Sequence, residues 1–184
     1  MTISGNITYD FVPVGSGLNY AATEERPARL ISVQFVESGT NSVLASGQTD
    51  TAGHYSMSVP AERTGFVRAR ALSARTGSPS WFFQVLNNVD GDSLYVLDGA
   101  SLSSGSVDSV RDLRARSGWT VASYANPRAA APFAILDTIY VAAEYVLASD
   151  PALDFPPLDL HWSPDNVKIR RRRRTARSCS NCCR

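Results

Sequence analysis

Between Ile3 and Leu97 the chain alternates apolar and polar residues in short runs, each closed by glycine or a turn-forming polar residue, and few folds accommodate that rhythm. Ile3, Gly5, Ile7 and Tyr9 share one face. Leu30 to Val36, Val43 to Thr49, Tyr55 to Val59, Phe66 to Leu72, Trp81 to Leu86 and Ser93 to Leu97 follow as strand candidates. Turns are expected at Glu37-Ser-Gly, Asp50-Thr-Ala-Gly and Glu62-Arg-Thr-Gly, where glycine takes positive φ and aspartate bonds the backbone ahead of it. Asn87-Asn-Val-Asp-Gly-Asp joins the last two strands. Short strands at this spacing predict a mainly β chain, an antiparallel β-sandwich or small barrel. Strands do not alternate with helices here, which argues against a doubly wound nucleotide-binding fold.

The pattern changes after Ala100. Ser101-Leu-Ser-Ser-Gly-Ser reads as a loop or hinge, and residues 100–127 as a linker or irregular segment. Arg128 to Ser149 is helical in spacing, with Pro127 before the first turn and Asp150-Pro151 as the stop. Phe133, Leu136, Ile139, Tyr140, Ala143 and Leu147 form its apolar face, and Asp137, Val141, Glu144 and Ala148 are expected on a wetter stripe opposite. Ala129 to Ala148 has the length of a membrane span, but Asp137 and Glu144 would be costly at bilayer depth, so a buried helix is expected. Leu158-Asp-Leu-His-Trp alternates as one strand between Phe155-Pro-Pro and Ser163-Pro. The expected organisation is a β-sandwich over 1–99, a linker over 100–127, a helix plus strand over 128–166 that opens an incomplete α+β unit, and a disordered Arg/Cys-rich tail over 167–184.

The formal net charge of +1 hides a division of the chain. All 17 acidic residues and ten of the 18 basic ones precede Lys168, so residues 1–167 carry −7 and residues 168–184 carry +8. All three cysteines, Cys179, Cys182 and Cys183, lie in that basic tail and say nothing of the redox compartment of the rest. The N-terminus alternates at once and shows no signal-peptide pattern.

Motifs that carry chemistry are sparse. A catalytic zinc site uses several side-chain ligands at defined spacing, often His-Glu-x-x-His. The two histidines, His54 and His161, are far apart and lack it; both are expected to face solvent, His161 sharing a strand face with Asp159. Asn88-Val-Asp90-Gly-Asp92-Ser resembles a calcium loop, but Ser93 and Gly99 occupy the places where an EF-hand needs Gly and Glu, so a hairpin turn is expected. No serine stands in a Gly-x-Ser-x-Gly elbow, and no glycine-rich phosphate loop is present. Asp137 and Glu144, about two helical turns apart, read as a solvated face. No catalytic, cofactor-binding or metal-binding residue is assigned. The tail from Lys168 to Arg177 has the composition that attracts phosphate backbones, yet it lacks interleaved aromatics and follows an acidic body.

The residues do resemble a known pattern. Ile3-Ser-Gly-Asn-Ile-Thr-Tyr, Arg26-Pro-Ala-Arg-Leu-Ile-Ser-Val-Gln-Phe-Val, Thr49-Asp-Thr-Ala-Gly-His-Tyr-Ser-Met-Ser-Val-Pro and Phe66-Val-Arg-Ala-Arg-Ala resemble a carboxypeptidase regulatory-like domain, the transthyretin-like β-sandwich. The resemblance covers residues 3 to about 97 and implies that Gly53 makes the tight turn and Tyr55 packs inward. Arg128-Ala-Ala-Ala-Pro-Phe-Ala-Ile-Leu-Asp-Thr-Ile-Tyr and Phe155-Pro-Pro-Leu-Asp-Leu-His-Trp-Ser-Pro-Asp-Asn resemble the segment that follows such a domain in large exported bacterial proteins, where a zinc metallopeptidase-like module comes next. The likeness stops at Asn166, and no zinc ligand carries over.

Three functions are therefore expected in order. The first is a non-catalytic β-sandwich module, structural or interacting with protein or cell envelope through its loops. Its parent would be a larger protein exported to periplasm, outer membrane or medium. The second is a fragment of a zinc metallopeptidase lacking its catalytic part. The third is a nucleic-acid binder acting through the Arg-rich tail. The break at the tail has the character of a shifted reading frame in a GC-rich gene.

Overall fold

The structure, a computed structural model, describes residues 1–166. The expected disordered tail, its cysteines and its nucleic-acid reading lie outside the described residues. The chain is mainly β, built of sheets whose pairings are mostly antiparallel around a common core and followed by one helix and a further strand. Its elements are β1 (Thr2–Phe11), a short 3-10 turn (Tyr20–Ala22), β2 (Glu24–Pro27), β3 (Ser32–Glu37), β4 (Val43–Gln48), β5 (His54–Ser58), β6 (Thr64–Arg70), β7 (Leu72–Arg75), β8 (Trp81–Asn87), β9 (Ser93–Leu94), β10 (Val96–Asp98), β11 (Leu102–Ser103), β12 (Ser109–Val110), β13 (Leu113–Ala115), α1 (Ala130–Leu147) and β14 (Leu158–Trp162).

β1 is the hub of the first sheet. Its first half lies between antiparallel β5 and parallel β12, its second half between antiparallel β2 and parallel β13. The second sheet runs β4–β3–β6, and both β10 and β11 pair with β6. The third runs β14–β8–β7, with β9 also on β8. β6 and β7 are one stretch of chain interrupted at Ala71, whose N–H donates to the Tyr95 carbonyl and whose carbonyl accepts from Val85 N–H. The second and third sheets therefore meet at that bend.

Period-two alternation decides which side chains go inside. Ile3, Ile7 and Tyr9 of β1, Val33 and Phe35 of β3, Tyr55 and Met57 of β5, Val67 and Ala69 of β6, and Phe83 and Val85 of β8 close on one core. Each large side chain so buried contributes about 1.5–3 kcal/mol relative to exposure. Phe133, Leu136 and Ala143 of α1 belong to the same cluster. The helix, expected to be buried, is folded back on the sheets, against β1 and β8.

The turn from Thr49 to Tyr55 is closely specified. The buried Thr49 hydroxyl donates to the Ala28 carbonyl and accepts from Ile31 N–H, while Asp50 Oδ1 accepts from Ala52 and His54 N–H. Those two amides hold the Asp50 carboxyl below the usual carboxylate range. Gly53 sits at φ +79°, and a Cβ there would lie 2.7 Å from the Ile7 carbonyl oxygen and 2.9 Å from Pro27 Cβ. Gly53→Ala is accordingly expected to lower stability by about 1–3 kcal/mol, from backbone strain alone. Urea denaturation would read it, and an unchanged midpoint would contradict the contact.

Several elements differ from expectation. The Ser/Gly-rich stretch after Ala100, read as loop or hinge, is tied down: β11 pairs with β6, and buried Ser104 donates to the Pro60 carbonyl and accepts from Arg63 N–H. β12 and β13, also within residues 100–127, complete β1. β14 extends the third sheet, pairing parallel with β8 from Leu158 opposite Phe83 to Trp162 opposite Asn87. With α1 between them in sequence and packed on β8, β8 and β14 form a parallel strand–helix–strand crossover, which joins the expected helix-plus-strand unit to the sheets. The helix spans Ala130–Leu147, slightly inside the expected bounds, and Pro132 falls in its first turn, where an N–H would have no intrahelical partner. The helix has the length and hydropathy of a membrane span, yet seven of its residues are buried against the sheets.

A candidate functional site beside a buried tyrosine, aspartate and arginine

Asp137 departs from the expected solvated stripe, whose other members Val141, Glu144 and Ala148 are exposed. It is only 8% exposed, and its two oxygens accept hydrogen bonds from Tyr9 Oη at 2.7 Å and Arg29 Nε at 2.6 Å. The reason is helical geometry: Asp137 lies four residues after Phe133 and three before Tyr140, so it shares their inward face. Glu144, two turns on, does face solvent. The two carboxylates therefore do different work, one inside and one out.

Three elements meet at Asp137. β1 supplies Tyr9, the loop between β2 and β3 supplies Arg29, and α1 supplies Asp137 and Tyr140. Arg29 also lies over the Tyr140 ring, its guanidinium carbon 4.7 Å from the ring centre. Burial, reinforced by the hydrogen bond to Asp137, pushes the Tyr9 phenol above its ordinary range. The same carboxylate bond raises the Arg29 guanidinium. Burial, with a smaller contribution from the Asp112 charge and against the pull of Arg111, raises Tyr55, whose hydroxyl donates to the Arg111 carbonyl.

A phenol whose folded pKa lies above its unfolded value favours folding below the unfolded pKa, about 10, and that contribution is lost as pH rises through the folded value. Tyr9 and Tyr55 are both raised, so stability is expected to fall progressively above about pH 10. Urea midpoints across alkaline pH would show the decline, which Tyr9→Phe should shallow. A slope that Tyr9→Phe leaves intact would place the titrating group elsewhere.

An open cavity of about 420 Å³ adjoins this network, lined by Arg29, Tyr140, Val141, Glu144, Tyr145 and Ala148. A smaller one of about 230 Å³ lies between α1 and the β8–β14 pair, walled by Phe83, Ile139, Val146, Phe155 and Leu158. At another edge Tyr20 stacks on Trp119, ring centres 3.7 Å apart, with Tyr124 edge-on to both and Arg128 over Tyr124. Those rings pin the loop after β1 to the loop before α1, and their stacked faces cover one another.

A second buried carboxylate, Asp10, binds Arg114 Nε at 2.8 Å and Ser117 N–H at 2.9 Å and so fixes β13 against β1. His54 opens β5 and is exposed, while His161 Nδ1 lies 2.9 Å from Asp92 Oδ1 at the surface. Asp90 and Asp92 sit in the β8–β9 hairpin turn, where the Asn87 carbonyl accepts from both of their amides. Asp90 accepts from Ser93 Oγ, so the acidic loop is closed by its own hydrogen bonds. Among the described residues no three His, Cys, Asp or Glu side chains converge as a metal would require. Neither Arg29 nor Asp10 stood out in the sequence. For Asp137, its offsets of +4 and +3 to Phe133 and Tyr140 were the available signal.

No protein-family profile matches the chain, and no curated protein matches it. Among solved structures it is similar to a 9R-lipoxygenase from Cyanothece, at 10% identity and a TM-score of 0.32. That overlap covers 61% of this chain and spans 15% of the lipoxygenase.

Proposed function

We propose that this chain is a non-catalytic β-sandwich module of the carboxypeptidase regulatory-like kind, serving structure or interaction within a larger exported bacterial protein. The observation that carries this reading is the turn from Thr49 to Tyr55. Its glycine is at φ +79°, its aspartate caps the turn and its tyrosine is buried, in keeping with what the resemblance implies for those positions. The buried carboxylates support it too, since Asp10 and Asp137 each bind groups that position strands or the helix.

The decisive test is the encoding DNA. Translating the frames beside and beyond residue 166 should yield a continuation resembling exported metallopeptidase-associated proteins; frames with no such continuation overturn the parentage. A peptidase assay of the 184-residue chain with added zinc should be blank, and measurable turnover would overturn the non-catalytic reading.

A further inference from the structure

The cavity beside the buried network sets an arginine with donors to spare and a carboxylate unpaired among the described residues beside apolar walls. Arg29 keeps about a quarter of its side chain exposed, and Nε to Asp137 is the one hydrogen bond its guanidinium makes among the described residues. Guanidinium offers five N–H donors in a planar fork, so both terminal nitrogens remain available to a carboxylate. The bond to Asp137 and the Tyr140 ring beneath fix the orientation of that fork. Glu144 lines the same cavity, and its carboxylate makes no hydrogen bond or ion pair among the described residues. It stays more than 4.0 Å from the Arg29 nitrogens, since the two form no ion pair. Val141, Ala148 and the ring of Tyr145, 79% exposed, supply apolar surface between and beside the charges.

We infer that this cavity binds a small zwitterion, an α-amino acid with an apolar or aromatic side chain. The Arg29 fork holds its carboxylate, Glu144 takes its ammonium, and the side chain lies on Tyr145 and Val141. A simple anion fits less well, because Glu144 repels it and Asp137 already balances Arg29. A simple cation leaves the Arg29 donors unanswered. All the residues that line the site belong to this chain, so it is testable on this protein as it stands.

The experiment is an NMR titration of the full chain with L-phenylalanine, 3-phenylpropionate and 2-phenylethylamine. Phenylalanine should shift the Arg29 Nε, Glu144 and Tyr145 signals saturably with a Kd of roughly 1 mM. The amine, lacking the carboxylate, should bind about tenfold more weakly or not at all, a loss expected when the guanidinium donors go unmet. Glu144→Gln should weaken phenylalanine several-fold while tightening phenylpropionate. Tyr145→Ala should weaken both. Glu144 and Tyr145 are exposed, so neither variant threatens the fold. Absence of a saturable shift overturns the site, as does equal binding of the amine, or full phenylalanine affinity in either variant.

Discussion

Asp137→Ala is expected to lower the unfolding free energy by about 3 kcal/mol, the low end for breaking a buried ion pair, because Arg29 keeps part of its side chain in water. The loss arises from what remains behind: a tyrosine hydroxyl and a guanidinium held in a largely dry place with no acceptor. Tyr9→Phe removes a donor and leaves the Asp137–Arg29 pair intact, so it should cost only about 1 kcal/mol. Combining Tyr9→Phe with Asp137→Asn should show coupling of about 0.5–3 kcal/mol, since the two groups touch. Urea denaturation measures all of these. An Asp137→Ala effect below about 1 kcal/mol would equate the network with an exposed surface pair and remove its claim to dock the helix.

The second large effect belongs to Phe133, which is buried against the strands. Phe133→Ala should cost about 3–5 kcal/mol, the range for emptying an aromatic site in a packed core. More telling is how the loss is distributed. Because Phe133, Leu136 and Ala143 share one cluster with Ile3, Tyr9 and Val85, the variant should still unfold in a single transition at lower denaturant. Far-UV circular dichroism reports the helix, and fluorescence of Trp81, buried on β8 and isolated by Trp119→Phe and Trp162→Phe, reports the third sheet. Coincident curves support one cooperative unit. Helix signal lost ahead of the Trp81 transition would mean that the helix is only laid on a sandwich stable without it.

Much of the β architecture is legible in the order of residues, for a local reason. Strand alternation repeats every two residues, so Ile3, Ile7 and Tyr9 or Tyr55 and Met57 announce their shared face without reference to anything distant. The inward Tyr55 and the turn at Gly53 are equally local. What escaped is pairing across long separations: β12 and β13 are two or three residues long, and their place beside β1 depends on partners more than a hundred residues earlier. β2, Glu24–Pro27, carries too much charge to read as a strand and is one only because β1 offers it an edge. β14 was recognisable as a strand, but its alternation could not reveal that β8 would be its neighbour.

The candidate site was the least legible part, and Asp137 shows why. Hydropathy assigns a carboxylate to water, whereas helical angle places this one beside Phe133 and Tyr140; geometry prevails because Tyr9 and Arg29 supply the hydrogen bonds that make burial tolerable. Arg29 sits in a connection where no periodicity applies. Its role is set by a contact across 108 positions of sequence.

The position of β1 at the centre of its sheet also has a consequence for how the chain is made. During synthesis the first strand to emerge is among the last to be completed, because its parallel neighbours are Ser109–Val110 and Leu113–Ala115. Until those residues leave the ribosome, β1 presents open hydrogen-bonding groups on one side along a strand that carries Ile3, Ile7 and Tyr9, the kind of edge that recruits other chains. Nascent or shortened forms that end before Ala115 are therefore the hazardous ones, and a chaperone that shields extended segments would find its work here at the N-terminus.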